Sequence, residues 1–89
     1  MIRRKLIVIN ELGLHARAAT KLAAVAGHFE STIHTGIELP LVDAKSIMSL
    51  MLLAASQGTE LFFEFDGPDE TDACEAITQL LKNYFGEGK

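Results

Sequence analysis

The residues best suited to chemistry in this chain are Gly13-Leu14-His15-Ala16-Arg17. An imidazole exchanges protons near neutral pH, and here it stands where a loop runs into an apolar-periodic helix. Ala19, Leu22, Ala23 and Ala26 recur at the spacing of one helical face, and Gly27 supplies a stop. His15 is therefore expected at or beside the N-cap, with the first unpaired backbone N–H groups pointing toward its ring. Those donors, from Ala16, Arg17 and Ala18, and the positive end of the helix dipole make an anion site. The dipole also disfavours an imidazolium, which keeps the ring able to attack. Arg17 adds a planar charged donor, and a cation in a first helical turn calls for a compensating anion. A nucleophilic imidazole beside a phosphate cradle suits reversible phosphorylation of the histidine. The same spacing also fits a capping histidine without chemistry.

The elements that must hold this loop follow from periodicity and turn residues. Residues 3–9, rich in Ile, Val and Leu, read as a strand. Residues 10–14 form the presenting loop, with Gly13 for a turn that larger residues resist. The first helix runs to about Ala26, and its many alanines let it lie close to a sheet. Residues 31–35 and 38–42 read as a hairpin around Gly36, the second strand at a sheet edge because Pro40 cannot donate to a ladder. Ser46 is placed to cap a short helix over residues 47–55. In residues 59–66, Leu61, Phe63 and Phe65 alternate with Glu60, Glu64 and Asp66, and Phe62 stands on the wet side. Asp69 caps a last helix whose core face is Ala73, Ile77, Leu80, Leu81 and Tyr84, with Gly86 as its end and a mobile tail beyond. The order β-α-β-β-α-β-α predicts an α+β open-faced β-sandwich: a four-stranded antiparallel sheet with three helices on one face.

Composition narrows the function. Eighty-nine residues with 48% hydrophobic content suit a single domain spanning 1–89. No run approaches the roughly 18 apolar residues of a membrane helix, and the apolar stretch after the basic start is too short for a signal peptide. One cysteine, Cys74, excludes an internal disulfide and fits a reducing, cytoplasmic setting. One cysteine and three scattered histidines do not make a metal set, and no cofactor is implied. A net charge of −4 argues against nucleic acid as partner. Positive charge gathers near the start and negative charge in the last third, an asymmetry that can steer a charged protein partner.

A second stretch, Lys45-Ser46-Ile47-Met48, opens a short helix that is apolar almost all round. Leu50 and Leu53 share a core-facing side, while Ile47 and Met51 form an i, i+4 pair with Met48 beside them. These three are either buried or an exposed surface for several partners, a task methionine suits. Lys21 and Lys45 are either rim charges or simply solvated. His28, His34 and Cys74 read as structural or incidental.

These two motifs, with the order of elements around them, resemble the HPr family, the histidine-containing phosphocarriers of the bacterial phosphoenolpyruvate-dependent sugar phosphotransferase system. The resemblance spans nearly the whole chain. It implies the same open-faced sandwich, a carrier and not an enzyme. It implies phosphorylation of His15 on Nδ1 by phospho-enzyme I and transfer to enzyme II A-domains. It further implies that Ile47, Met48 and Met51 dock those partners, and that Ser46 is the regulatory target of HPr kinase/phosphorylase. A monomer is expected, with no membrane insertion. One position departs: the family usually has proline after the arginine, and this chain has Ala18, which leaves the first turn freer. A nitrogen-type regulatory paralogue and a non-catalytic interaction module remain as alternatives.

Overall fold

The computed structural model describes all 89 residues. Its elements are β1 (Ile2–Ile7), α1 (Ala16–Gly27), β2 (Thr32–Gly36), β3 (Val42–Asp43), α2 (Ile47–Leu52), β4 (Glu60–Asp66) and α3 (Glu70–Lys82), followed by a 3-10 turn at Tyr84–Gly86. The strands form one antiparallel sheet in the order β1-β4-β2-β3. The three helices cover one face, giving the α+β open-faced sandwich expected from the pattern.

Alternation in β4 sets the layers. Leu61, Phe63 and Phe65 are buried, while Glu60, Phe62 and Asp66 are exposed on the other face and Glu64 is half-buried there. The rings of Phe63 and Phe65 stack with centroids 5.9 Å apart, flooring the core. Burying each such ring contributes about 1.5–3 kcal/mol. Above them lie Ala18, Ala19, Leu22 and Ala26 of α1 and Ala73, Ile77 and Leu81 of α3. The small side chains of α1 bring its backbone, and so the start of the helix, close to the sheet.

The hairpin, the end of α2 and the C-terminal tail differ from the expectation. The hairpin's second strand is only Val42–Asp43, because Pro40 has no N–H for the ladder and the preceding residues fold across Gly36. The second helix stops at Leu52 and not at residue 55, since Ala54 takes a left-handed φ of 51°. Most consequential is the tail. Tyr84 and Phe85 both adopt left-handed φ, 55° and 52°, which carries Tyr84 out to solvent and turns Phe85 fully into the core. Such conformations cost about 1–2 kcal/mol per residue, a cost that the burial of the Phe85 ring offsets. The tail is thereby pinned at Phe85, where periodicity had assigned Tyr84 to the core and freedom to the residues beyond.

Candidate functional site

The histidine loop is built from below. Gly13 has φ +68°, and a Cβ there would lie 2.5 Å from the carbonyl oxygen of Ala55. Both the angle and the clearance require glycine. The next residue, Leu14, is buried and donates its N–H to that same Ala55 oxygen at 2.8 Å. The left-handed turn at Ala54 thus places a carbonyl directly under the loop that presents the histidine. His15 follows as the N-cap of α1, extended at φ −81°, ψ −177°, and its carbonyl accepts from Ala19 at 2.8 Å.

The His15 ring makes no cap hydrogen bond to the helix. The N–H groups of Ala16, Arg17 and Ala18 have no acceptor within the chain, as the first turn of a helix requires of its ligand or solvent. Ala16 and Arg17 are exposed, and the Arg17 guanidinium has no partner. Ala18 is fully buried, so its N–H is shielded, and its methyl serves the core. The first turn contains no acidic residue. It is a positive helix start that no side chain of the protein caps.

The residue that sequence reasoning missed is Glu87. Its Oε2 lies 2.5 Å from His15 Nε2, with the His15 side chain 27% exposed and that of Glu87 only 9%. Its Oε1 accepts from Asn10 Nδ2 at 2.9 Å, and the same amide donates to the Gly13 carbonyl at 2.9 Å. Burial opposes ionisation of Glu87, but the hydrogen bonds from Asn10 and His15, with the nearby His15 and Lys21 charges, prevail and hold its carboxyl below the usual range. An ionised carboxylate only accepts. In the neutral ring the proton must therefore sit on Nε2, which leaves the lone pair on Nδ1, an atom with no hydrogen-bond partner in the chain. Lys21 completes the assembly by donating its Nζ to the Phe85 carbonyl at 2.7 Å, fastening the tail that carries Glu87. The only sequence signal was an acid just past the helix-ending Gly86; its contact with a residue 72 positions away is tertiary.

The second motif lies on α2. Ser46 is the N-cap and accepts from the Ser49 N–H at 3.2 Å. Leu50 is fully buried, whereas Ile47 and Met51 are partly exposed, Met48 is 71% exposed and Leu52, not anticipated, 80%. Of the two readings, the exposed surface is the one the structure displays. Lys45 is half-buried, and its Nζ donates to the Phe29 carbonyl at 2.8 Å. The two motifs meet through the bond from Leu14 to Ala55, just past the far end of α2 from Ser46. Asp69 stands at the N-cap of α3 but makes no cap bond. Its carboxylate instead accepts from Ser31 Oγ and from the backbone N–H groups of Ser31 and Glu30. No group of three or more His, Cys, Asp or Glu side chains is gathered as a metal site. No helix is long and apolar enough to cross a membrane.

Fold and site together define a small α+β sandwich that presents an anchored histidine, with one free ring nitrogen, at a helix start that no side chain caps. Residues 2–83 match the family model described as the PTS HPr component phosphorylation site. The chain is 48% identical to the phosphocarrier protein HPr of Cupriavidus necator over 89 residues, covering 100% of both chains. Its fold matches a crystal structure of HPr-C-His from Thermoanaerobacter tengcongensis with a TM-score of 0.93 at 37% identity, over 98% of each chain. An HPr dimer from the same organism aligns with a TM-score of 0.77 at 37% identity, over 98% of this chain and 100% of that one. The chain belongs to the HPr family, the phosphocarriers of the phosphotransferase system, and is a carrier and not an enzyme. Since one relative is a dimer, membership in the family does not dictate the monomer expected from the sequence.

Proposed function

We propose that His15 accepts a phosphoryl group on Nδ1 from phospho-enzyme I and passes it to a histidine of an enzyme II A-domain in sugar uptake. The observation that carries this reading is the asymmetry of the ring: Nε2 is held by Glu87, and Nδ1 is unpartnered. In each transfer the lone pair of the acceptor nitrogen attacks phosphorus as the bond to the donor breaks, its electron pair leaving with the donor. On His15 the Nε2 proton stays on the ring and continues to be donated to the Glu87 carboxylate. The Ala16 and Arg17 N–H groups and the Arg17 guanidinium hold the dianion, with the Ala18 N–H joining only if its cover shifts. Catalysis of transfer is then positioning and charge stabilisation, supplied jointly with the partner.

Ile47, Met48 and Met51, extended by Leu52, form the docking surface for both partners. Ser46 is the regulatory site for an HPr kinase/phosphorylase. A phosphate there would suit the local helix dipole without refolding and would set negative charge beside the docking patch. The whole of 1–89 acts as one domain in the cytoplasm.

The test is intact mass after incubation with phosphoenolpyruvate and purified enzyme I. A gain of one acid-labile phosphate, absent in His15→Ala, is expected. No gain with a cognate enzyme I overturns the reading in favour of an interaction module. Transfer onward to sugar-specific A-domains, against transfer only to regulatory ones, separates uptake from the nitrogen-type alternative.

A further inference from the structure

Asn10 is fully buried just past the end of β1, where the sheet gives way to the histidine loop. Two residues earlier, Val8 donates to the Thr59 carbonyl at 2.9 Å and accepts from Gly58 at 2.7 Å, which anchors the backbone there. The side-chain Nδ2 of Asn10 donates twice, to the Gly13 carbonyl and to Glu87 Oε1, each at 2.9 Å. Its Oδ1 is buried without a hydrogen-bond partner in the chain. Turning the amide over brings no relief, because Oδ1 would then face two groups that only accept. A buried acceptor left unpaired is costly, and an apolar side chain would avoid that cost. The amide is explained by what Nδ2 does.

Its two bonds differ in how much depends on them. Gly13 is held by other means as well: its N–H donates to the Asn10 carbonyl at 3.2 Å, and the next residue is seated on Ala55. The Glu87 side chain has only two hydrogen-bond partners, Asn10 on Oε1 and His15 on Oε2. Without Asn10, nothing but the histidine itself would orient the carboxylate that orients the histidine. Burial works against ionisation of Glu87, and the Asn10 hydrogen bond is first among the contacts that overcome it.

We infer that Asn10 is a positioning residue for phosphoryl transfer at His15. By fixing Oε1 of Glu87 it aims Oε2 at the Nε2 proton, and so holds the ring with Nδ1 toward the incoming group. The kinetic part of this inference rests on the proposed function; the placement of the ring does not. No proton changes hands in the role: Asn10 keeps its amide hydrogens and the Nε2 proton stays on the imidazole. A ring free to turn about its side-chain bonds would meet phosphorus in line less often, and transfer depends on that alignment. A merely structural asparagine would act through Gly13 and leave Glu87 indifferent to its loss.

The test is a double-mutant cycle on the full chain, read by acceptance from phospho-enzyme I and by the imidazole N–H resonance of His15. Asn10→Ala lowers kcat about tenfold and leaves KM for phospho-enzyme I unchanged. Glu87→Ala does the same, and the double variant loses no more than Glu87→Ala alone. The Nε2–H resonance, sheltered by Glu87 in the native chain, broadens into exchange with water in both single variants. Losses that multiply in the double variant, a change confined to KM, or a resonance that survives Asn10→Ala would each overturn the inference. Should Asn10→Ala fail to fold, Asn10→Asp keeps the shape but sets an acceptor against the carboxylate, and the resonance is lost. Adding Glu87→Gln restores it, because the glutamine amide donates to the aspartate while its carbonyl accepts from Nε2; no restoration overturns the inference. Failure of the native chain to gain phosphate would instead refute the proposed function, and the resonance would still report on Asn10.

Discussion

The starts of α1 and α2 lie in one small layer, yet they are finished in opposite ways. At α2, the Ser46 hydroxyl accepts from Ser49 and closes the helix with its own side chain. At α1, the N-cap side chain turns away to Glu87, the first turn has no acid, and it carries the cation Arg17. Even α3, whose Asp69 is engaged elsewhere, places Glu70 and Asp72 in its first turn to meet the dipole. Stability would favour closing α1 too, since a cap contributes about 1 kcal/mol. Leaving it open makes sense if the missing anion arrives with a partner and departs again. On the proposed function, one helix start is built for permanence and the other for turnover.

The sharpest way to break this contrast is to close α1. His15→Ser should abolish phosphoryl acceptance in the mass assay. Its melting temperature should stay within about 4 °C, because the new cap offsets the lost contact with Glu87. A collapse of the fold would mean the ring is structural. Next in size is Gly13→Ala, which puts a methyl against the Ala55 carbonyl in a left-handed conformation. It should destabilise the protein by about 2–4 kcal/mol in urea unfolding, and an unchanged midpoint would show that the loop is not seated on α2.

Ser46→Ala opens the closed start. It should cost about 1 kcal/mol while acceptance at His15 continues at its normal rate, and a larger loss in transfer than in stability would place Ser46 in the site itself. Ala18→Pro removes a shielded N–H and pre-sets φ. It should stabilise by about 0.4–1 kcal/mol and change acceptance less than the loss of Arg17 does. Loss of stability in thermal melts would mean that this N–H is in use.

The smallest effect is on acidity. The carboxyl of Glu87 is held below its ordinary value in the fold. Its contribution is therefore complete above the unfolded value, about 4.3, and is lost as pH falls through the folded one. Amide shifts at Phe85 and Glu87 should move in that acid range, and Glu87→Gln should flatten the response. A response centred near neutral pH would show that another group governs the tail.

Much of the architecture was legible because it rests on periodicity. The alternation of Leu61, Phe63 and Phe65 set the buried face, the alanine-rich stripe set how α1 lies, and Ser46 followed from cap chemistry. The helix start at His15 followed in the same way, and the resemblance to HPr rested on contiguous motifs. Where periodicity failed, a backbone excursion was responsible. Phe85 replaced Tyr84 in the core because two successive left-handed residues interrupted the helical count, and no residue type there announces such a turn.

By itself, then, the sequence determined the order of elements, the sheet's two faces, the location of an anion-ready helix start and the family. These are local properties, settled by neighbours within a turn or a strand. Only the tertiary structure decided that Ala55 carries the histidine loop, that Arg17 is left without a partner, and that Glu87 holds Nε2 so that Nδ1 is free. Those facts depend on distances between residues dozens of positions apart, and such distances exist only once the core has closed.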